Sequence, residues 1–139
     1  MNEIIVGVDE SPTAKATAAT AAALANRSGR PLHLVTAIPS RSSVGSHGDG
    51  SKHWQLDSIS RAEQTLLALA GSVSCSTTVT HAVVIDRTAR GLCAEATRLN
   101  ASMIAIGNSR VRGVRVLGSV AKGVTMHAPC DVLIVHSKS

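Results

Sequence analysis

Short, unbroken aliphatic runs alternate along this chain with longer stretches in which apolar side chains recur every three or four positions. The first kind reads as buried strand and the second as amphipathic helix, because side chains alternate sides along a strand but return to one helix face about every 3.6 residues. Ile4-Ile5-Val6-Gly7-Val8 opens the series as a strand. It is closed by Asp9-Glu10-Ser11-Pro12, where Ser11 is the expected N-cap and Pro12 the expected first residue of an alanine-rich helix running to about Ser28-Gly29. Pro31–Ile38 is the second strand, and Pro39–Ser51, rich in Ser and Gly and without periodicity, is a loop. Ser58–Ala70 carries Ile59, Ala62, Leu66, Leu69 and Ala70 at helical spacing and is the second helix. Thr77–Ile85 is the third strand. Asp86 caps a helix through Leu99 that presents Leu92, Ala96 and Leu99 on one face, Ser102–Ile106 is the fourth strand, Gly118–His127 a short last helix and Cys130–His136 the fifth strand.

Strands that alternate with helices, and that read as continuous apolar runs, belong to a parallel sheet covered on both faces. In such open α/β sheets ligands bind beyond the carboxyl ends of the strands at the topological switch point. Asp9, Ile38 and Gly107 each follow or end a strand, so they can converge on one crevice.

The segment from Ile104 to Ser119 is the most informative in chemical terms. An apolar strand runs into a stretch bounded by Gly107 and Gly118 and bearing Arg110, Arg112 and Arg115, which ends at an expected helix start. Glycines let backbone approach a ligand, and free N–H groups at a helix N-terminus favour an anion, so this is the pattern of a phosphate cradle. Charge supports it. Between Ala96 and Cys130 lie Arg98, Arg110, Arg112, Arg115 and Lys122 and no Asp or Glu; these account for the formal net charge of +5, leaving nine basic against nine acidic residues elsewhere. A single-strand nucleic-acid platform is disfavoured, because the chain has one Trp and no Phe or Tyr for base stacking.

At 139 residues and 44% hydrophobic content the chain is expected to form one domain, residues 1–139, with an aliphatic core. Cys75, Cys93 and Cys130 lie far apart with no paired spacing, which fits reduced thiols in a cytoplasmic protein better than a disulfide framework, and no metal pattern or membrane-length apolar run occurs.

The opening IIVGVDES, the glycine-bearing GSVAKGV and the closing HAPCDVLIVHS together resemble the universal stress protein family, with the order of elements matching over essentially the whole chain. The resemblance implies a Rossmann-like, adenine nucleotide alpha hydrolase-like fold: an open five-stranded parallel sheet of order 3-2-1-4-5 with helices on both faces. It also implies a cytoplasmic homodimer paired through Asp131–His136. In one branch of the family ATP or AMP, with Mg²⁺ for ATP, binds through a motif G-x2-G-x9-G-(S/T). Carried onto this chain, Asp9 contacts the adenosine over a floor of Gly7 and Val8, Ala37 meets the adenine, Ile106, Gly107 and Asn108 begin the phosphate loop, and Gly118, Ser119 and Val120 end it. No catalytic turnover is implied, and no residue offers a general base with a defined station near a γ-phosphate.

The chain departs from that motif between its ends. Arg110 stands where the second glycine belongs, and ten residues, Asn108–Leu117, replace twelve. Either Gly113 supplies the backbone and Arg110, Arg112 or Arg115 supply phosphate contacts by side chain, or Arg110 fills the pocket. Blander roles exist for each residue: Asp9 and Ser11 as helix caps, Gly7 as a packing residue, Cys93 as a small buried hydrophobe, the six histidines as satisfied surface or core groups. Two functions remain open, a nucleotide-binding regulatory module and a dimeric interaction protein of the same fold that binds no nucleotide.

Overall fold

The computed structural model describes residues 2–9, 11–40, 49–108, 110–111, 114–115 and 117–136, with backbone alone for 49–53, 110–111 and 114–115. Strand β1 (Ile4–Gly7) leads to helix α1 (Thr13–Ser28), β2 (Leu32–Ile38), α2 (Asp49–Ser72), β3 (Val79–Ile85), α3 (Thr88–Leu99) and β4 (Met103–Asn108). The two-residue strands β5 (Arg110–Val111) and β6 (Val114–Arg115) follow, then α4 (Ser119–His127) and β7 (Asp131–His136). Five strands pair in parallel in the order β3-β2-β1-β4-β7. This is the expected 3-2-1-4-5 arrangement.

Each aliphatic run is unbroken because both faces of its strand are covered. Ile4, Val6, Val8, Leu32, Leu34 and Ala105 pack with the alanines of α1 and with Leu66 and Leu69 of α2. Ile5, Val35, Ile104 and Ile106 face the other way, onto Leu92 and Ala96 of α3 and Ala121 and Val124 of α4. Ala14, Ala18, Ala21, Ala22 and Ala25 are the buried stripe of α1, and such small side chains let its axis lie close to the sheet. At Gly107 the approach is closest: an added Cβ would stand 2.6 Å from Thr17 Oγ1 and 3.0 Å from Thr13 Oγ1. Gly29, at φ 67°, closes α1 in the left-handed conformation, where its N–H reaches Ala25 O.

Several local expectations require correction. Helix α2 begins at Asp49, so the end of the expected Pro39–Ser51 loop and the residues before Ser58 are helical, while residues 41–48 lie outside the described part. Trp54 and Leu56 precede the regular apolar stripe, which is why periodicity alone starts this helix late. Pro12 already has helical dihedrals, but the Ser11 hydroxyl does not cap α1; it turns back to Asp9. Nor does Asp86 cap α3: its Oδ1 accepts the N–H of the adjacent Arg87, and Arg87 holds the cap position. The arginine-bearing stretch is not simply a loop, because β4 runs on through Asn108 and β5 pairs antiparallel with β6, Arg110 opposite Arg115.

One buried polar cluster lies between β2 and α3. His33, 6% exposed, donates from Nε2 to Glu95 Oε2 at 2.9 Å, and its Nδ1 lies 2.6 Å from Thr80 Oγ1. Arg98 donates to both Glu95 oxygens, Nε at 2.7 Å and Nη2 at 2.9 Å. The Arg98 hydrogen bond is the main reason that the Glu95 carboxyl titrates at about 2, with His33 adding to it against the opposing effect of burial. Folded Glu95 holds its proton more weakly than in the unfolded chain, so its stabilisation is complete above the ordinary carboxylate value of 4.5 and is lost as pH falls toward 2.

Two outcomes are expected. Gly107→Ala forces α1 off the sheet and should lower the unfolding free energy by about 1–3 kcal/mol in urea titrations, with part of the loss restored when Thr17→Ala is added. Glu95→Gln should cost about 2 kcal/mol near neutral pH and flatten the fall in stability between about pH 5 and pH 2; an acid limb as steep as in the parent chain would contradict the role given to Glu95.

Candidate functional site

The chain leaves β1 through a turn that its own side chains define. Val8 N–H still donates to Val35 O at 2.8 Å, so Val8 stays buried and Asp9 is the first exposed residue at the carboxyl edge. Asp9 Oδ1 accepts the backbone N–H of Ser11 at 2.9 Å and its hydroxyl at 2.5 Å, a local Asx bond that turns the chain into α1 and fixes the carboxylate in orientation. Next to it, the Thr36 hydroxyl donates to Val8 O at 3.0 Å, and Asp86 N–H donates to Ile38 O at 2.9 Å. The ends of β1, β2 and β3 are thereby tied into one rim.

On the other side of β1, Asn108 ends β4 opposite His136 of β7 and is only 6% exposed. Its Oδ1 accepts the N–H of Gly118 at 3.0 Å, so one side chain holds the far end of the β5–β6 excursion against the strand that begins it. Gly118 is extended (φ −69°, ψ 170°), precedes the first residue of α4, and accepts Lys122 N–H at 3.0 Å. Ser119 is exposed at the N-terminus of α4, where the helix dipole is positive.

Two recesses meet at this edge. The inner one, about 150 Å³, is lined by Gly7, Val8, Asp9, Ala37, Ile106, Gly107 and Val120, together with Val35, Thr88 and Leu92. Seven of the eleven residues expected from the sequence therefore share one wall. Asn108, Gly118 and Ser119 adjoin it through the bond just described, and the side chain of Arg110 lies outside the described part. The outer recess, about 250 Å³, shares Val8, Asp9, Ala37 and Thr88 with the inner one and extends over Thr36 and Pro39 to Trp54, Ser58 and Arg61 of α2.

The glycines divide by role. A Cβ at Gly7 would stand 2.8 Å from Leu92 Cδ1, and one at Gly107 would meet the α1 threonines, so both positions are small because elements pack there. At Gly118 a Cβ would meet, among the described residues, Asn108 Oδ1 at 3.7 Å, an ordinary contact rather than a clash. Sequence reasoning missed Thr36, Thr88, Trp54 and Arg61. Thr88 was already placed at a helix start next to a strand end, and Trp54 is the sole aromatic residue, which is the signal that could have found it. Burial raises the titration of the Cys93 and Cys130 thiols, the behaviour of packed rather than reactive cysteines. Among the described residues no His, Cys, Asp and Glu group could hold a metal ion, and no helix is long and apolar enough to cross a membrane.

A model of the universal stress protein family matches residues 1–136. The chain belongs to that family. Solved structures agree in fold: hypothetical protein MJ0577 superposes with a TM-score of 0.82 at 17% identity, over 99% of this chain and 97% of its own. The universal stress protein from Archaeoglobus fulgidus in complex with dAMP is 22% identical with a TM-score of 0.67, over 97% and 98%. A family protein from Arabidopsis thaliana with AMP bound is 14% identical with a TM-score of 0.61, over 100% and 94%. Among curated proteins nothing matches. In this universal stress protein the Asn108 bond is the feature to test: Asn108→Ala should speed hydrogen exchange at the Gly118 amide roughly five- to tenfold while the β4 and β7 amides keep their protection, and an unchanged Gly118 rate would contradict the anchoring role.

Proposed function

We propose that this protein is a nucleotide-binding regulatory module that takes ATP or AMP at the carboxyl edge of its sheet. The observation that carries the reading is the gathering of Gly7, Val8, Asp9, Ala37, Ile106, Gly107 and Val120, the last from the first turn of α4, around one recess. Asp9, held by Ser11, accepts the ribose hydroxyls. Gly118 and Ser119 offer the α4 N-terminus to phosphate oxygens. The acid-free segment supplies the positive field, with Arg110, Arg112 and Arg115 compensating for the missing glycine of the shortened loop. Family members crystallised with dAMP and AMP support this choice of ligand.

Binding rather than turnover is the expected activity. Asp9 is the one carboxylate among the described residues lining the two recesses, and its Oδ1 is engaged by Ser11, which leaves no positioned base for an attacking water. The free thiols Cys75, Cys93 and Cys130 suit a reducing cytoplasm, where nucleotide occupancy would report energy state under stress. Dimerisation belongs to the same proposal. Strand β7 lies at the edge of the sheet and Val132, Leu133, Ile134 and Val135 are half-buried, so a second copy paired along it under two-fold symmetry would satisfy both edges.

Calorimetric titration with ATP and Mg²⁺, and with AMP, is the test of binding. Saturable heat is expected, and Gly118→Val should abolish it, because a β-branched side chain then stands where the backbone meets phosphate; no heat at millimolar nucleotide would refute the reading. Light scattering at micromolar concentration should give about twice the chain mass, and a monomer would refute the β7 interface.

A further inference from the structure

The chain contains a single aromatic side chain, and neither core uses it: both are built from aliphatic and small residues. Trp54 instead stands half-buried on the first described turns of α2, on the wall of the outer recess. The rest of that recess, roughly 250 Å³, is lined by Val8, Ala37, Ile38 and Pro39 at the strand ends, by Asp9, Thr36 and Thr88, and on α2 by Ser58, Ala62, Thr65 and the exposed Arg61. The two recesses adjoin, because Val8, Asp9, Ala37 and Thr88 line both.

This geometry imposes an order on any nucleotide bound there. Phosphate is repelled by the Asp9 carboxylate and drawn toward the α4 N-terminus, where the first helical N–H groups are free. The ribose is then left at Asp9, where hydroxyls can donate to the carboxylate. The outer recess, with apolar strand-end residues and Trp54 beside Arg61 on α2, suits a flat heteroaromatic ring, because both an aromatic face and a guanidinium plane stack on a base. We propose that Trp54 forms the stacking wall of a nucleobase subsite in the outer recess and is the principal determinant of affinity for the base. The inference rests on the nucleotide reading above and assigns α2 a part in ligand binding that the strand-end motifs do not include.

Because the chain has no other Trp and no Tyr, its intrinsic fluorescence above about 295 nm reports Trp54 alone. AMP should change that emission saturably, with the midpoint found by calorimetry. Ribose 5-phosphate, which lacks the base, should leave the emission unchanged. Trp54→Leu should weaken AMP roughly ten- to a hundredfold, and Trp54→Phe should restore most of the loss, while neither alters the weak binding of ribose 5-phosphate. AMP heat without an emission change, together with undiminished affinity of Trp54→Leu, would overturn the subsite and leave nucleotide binding standing. Absence of AMP heat altogether would overturn both. The emission experiment uses the unaltered chain, so a folding defect in either variant does not affect it.

Discussion

A parallel strand can reach its neighbour only by crossing over a face of the sheet, and in this chain α1 and α3 are pressed onto the strands at positions with small side chains or none. Thr13 and Thr17 of α1 lie against Gly107, Gly91 of α3 lies against Val84 and Ala37, and Gly123 lets α4 lie close against Ala89 of α3. That closeness seals both faces with aliphatic packing. Recessed polar chemistry is therefore concentrated at the carboxyl edge, where α1 and α3 depart and where β1 and β2 end beside β4.

What happens at that edge depends on two short side chains that serve the backbone. Asp9 turns the chain out of β1 by holding Ser11, and Asn108 ends β4 by holding Gly118. Asp9 lines both recesses, and Gly118 leads into α4, whose Val120 lines the inner one. Groups of opposite electrostatic character on either side of Gly7 and Gly107 give the crevice a direction, which a molecule with hydroxyls at its centre and anionic charge at one end can match. The His33–Glu95–Arg98 cluster has no access to that crevice and acts on stability: a carboxylate 5% exposed is kept ionised by partners on β2 and on its own helix.

The sheet was legible because its signal is local. Ile4–Val8 and Ser102–Ile106 are too short and too apolar to be anything but buried strands once helices flank them, and their order follows from the family resemblance. The seven residues of the inner recess were legible for a related reason, since each sits within two positions of a strand's carboxyl end or at the start of α4. Harder to read was whatever depends on distant partners. Glu95 meets His33 across 62 positions and Asn108 meets Gly118 across ten, distances at which spacing carries no signal. Trp54 was hidden differently: it precedes the apolar stripe of α2 and fell between the loop expected to end at Ser51 and the helix expected from Ser58. Gly107 was read for ligand access, whereas packing by the α1 threonines explains its missing side chain, and at Gly7 the packing alternative is the one that Leu92 accounts for.

Nucleotide binding at the carboxyl edge is tested most directly by recording amide chemical shifts of the labelled protein as AMP is added. Shifts centred on Asp9, Ala37, Gly107, Gly118 and Ser119, with the amino ends of the strands around Ile4, Leu32 and Met103 unmoved, are the expected result. Shifts confined to another surface, or none at millimolar AMP, would contradict the assignment of this crevice to an adenine nucleotide.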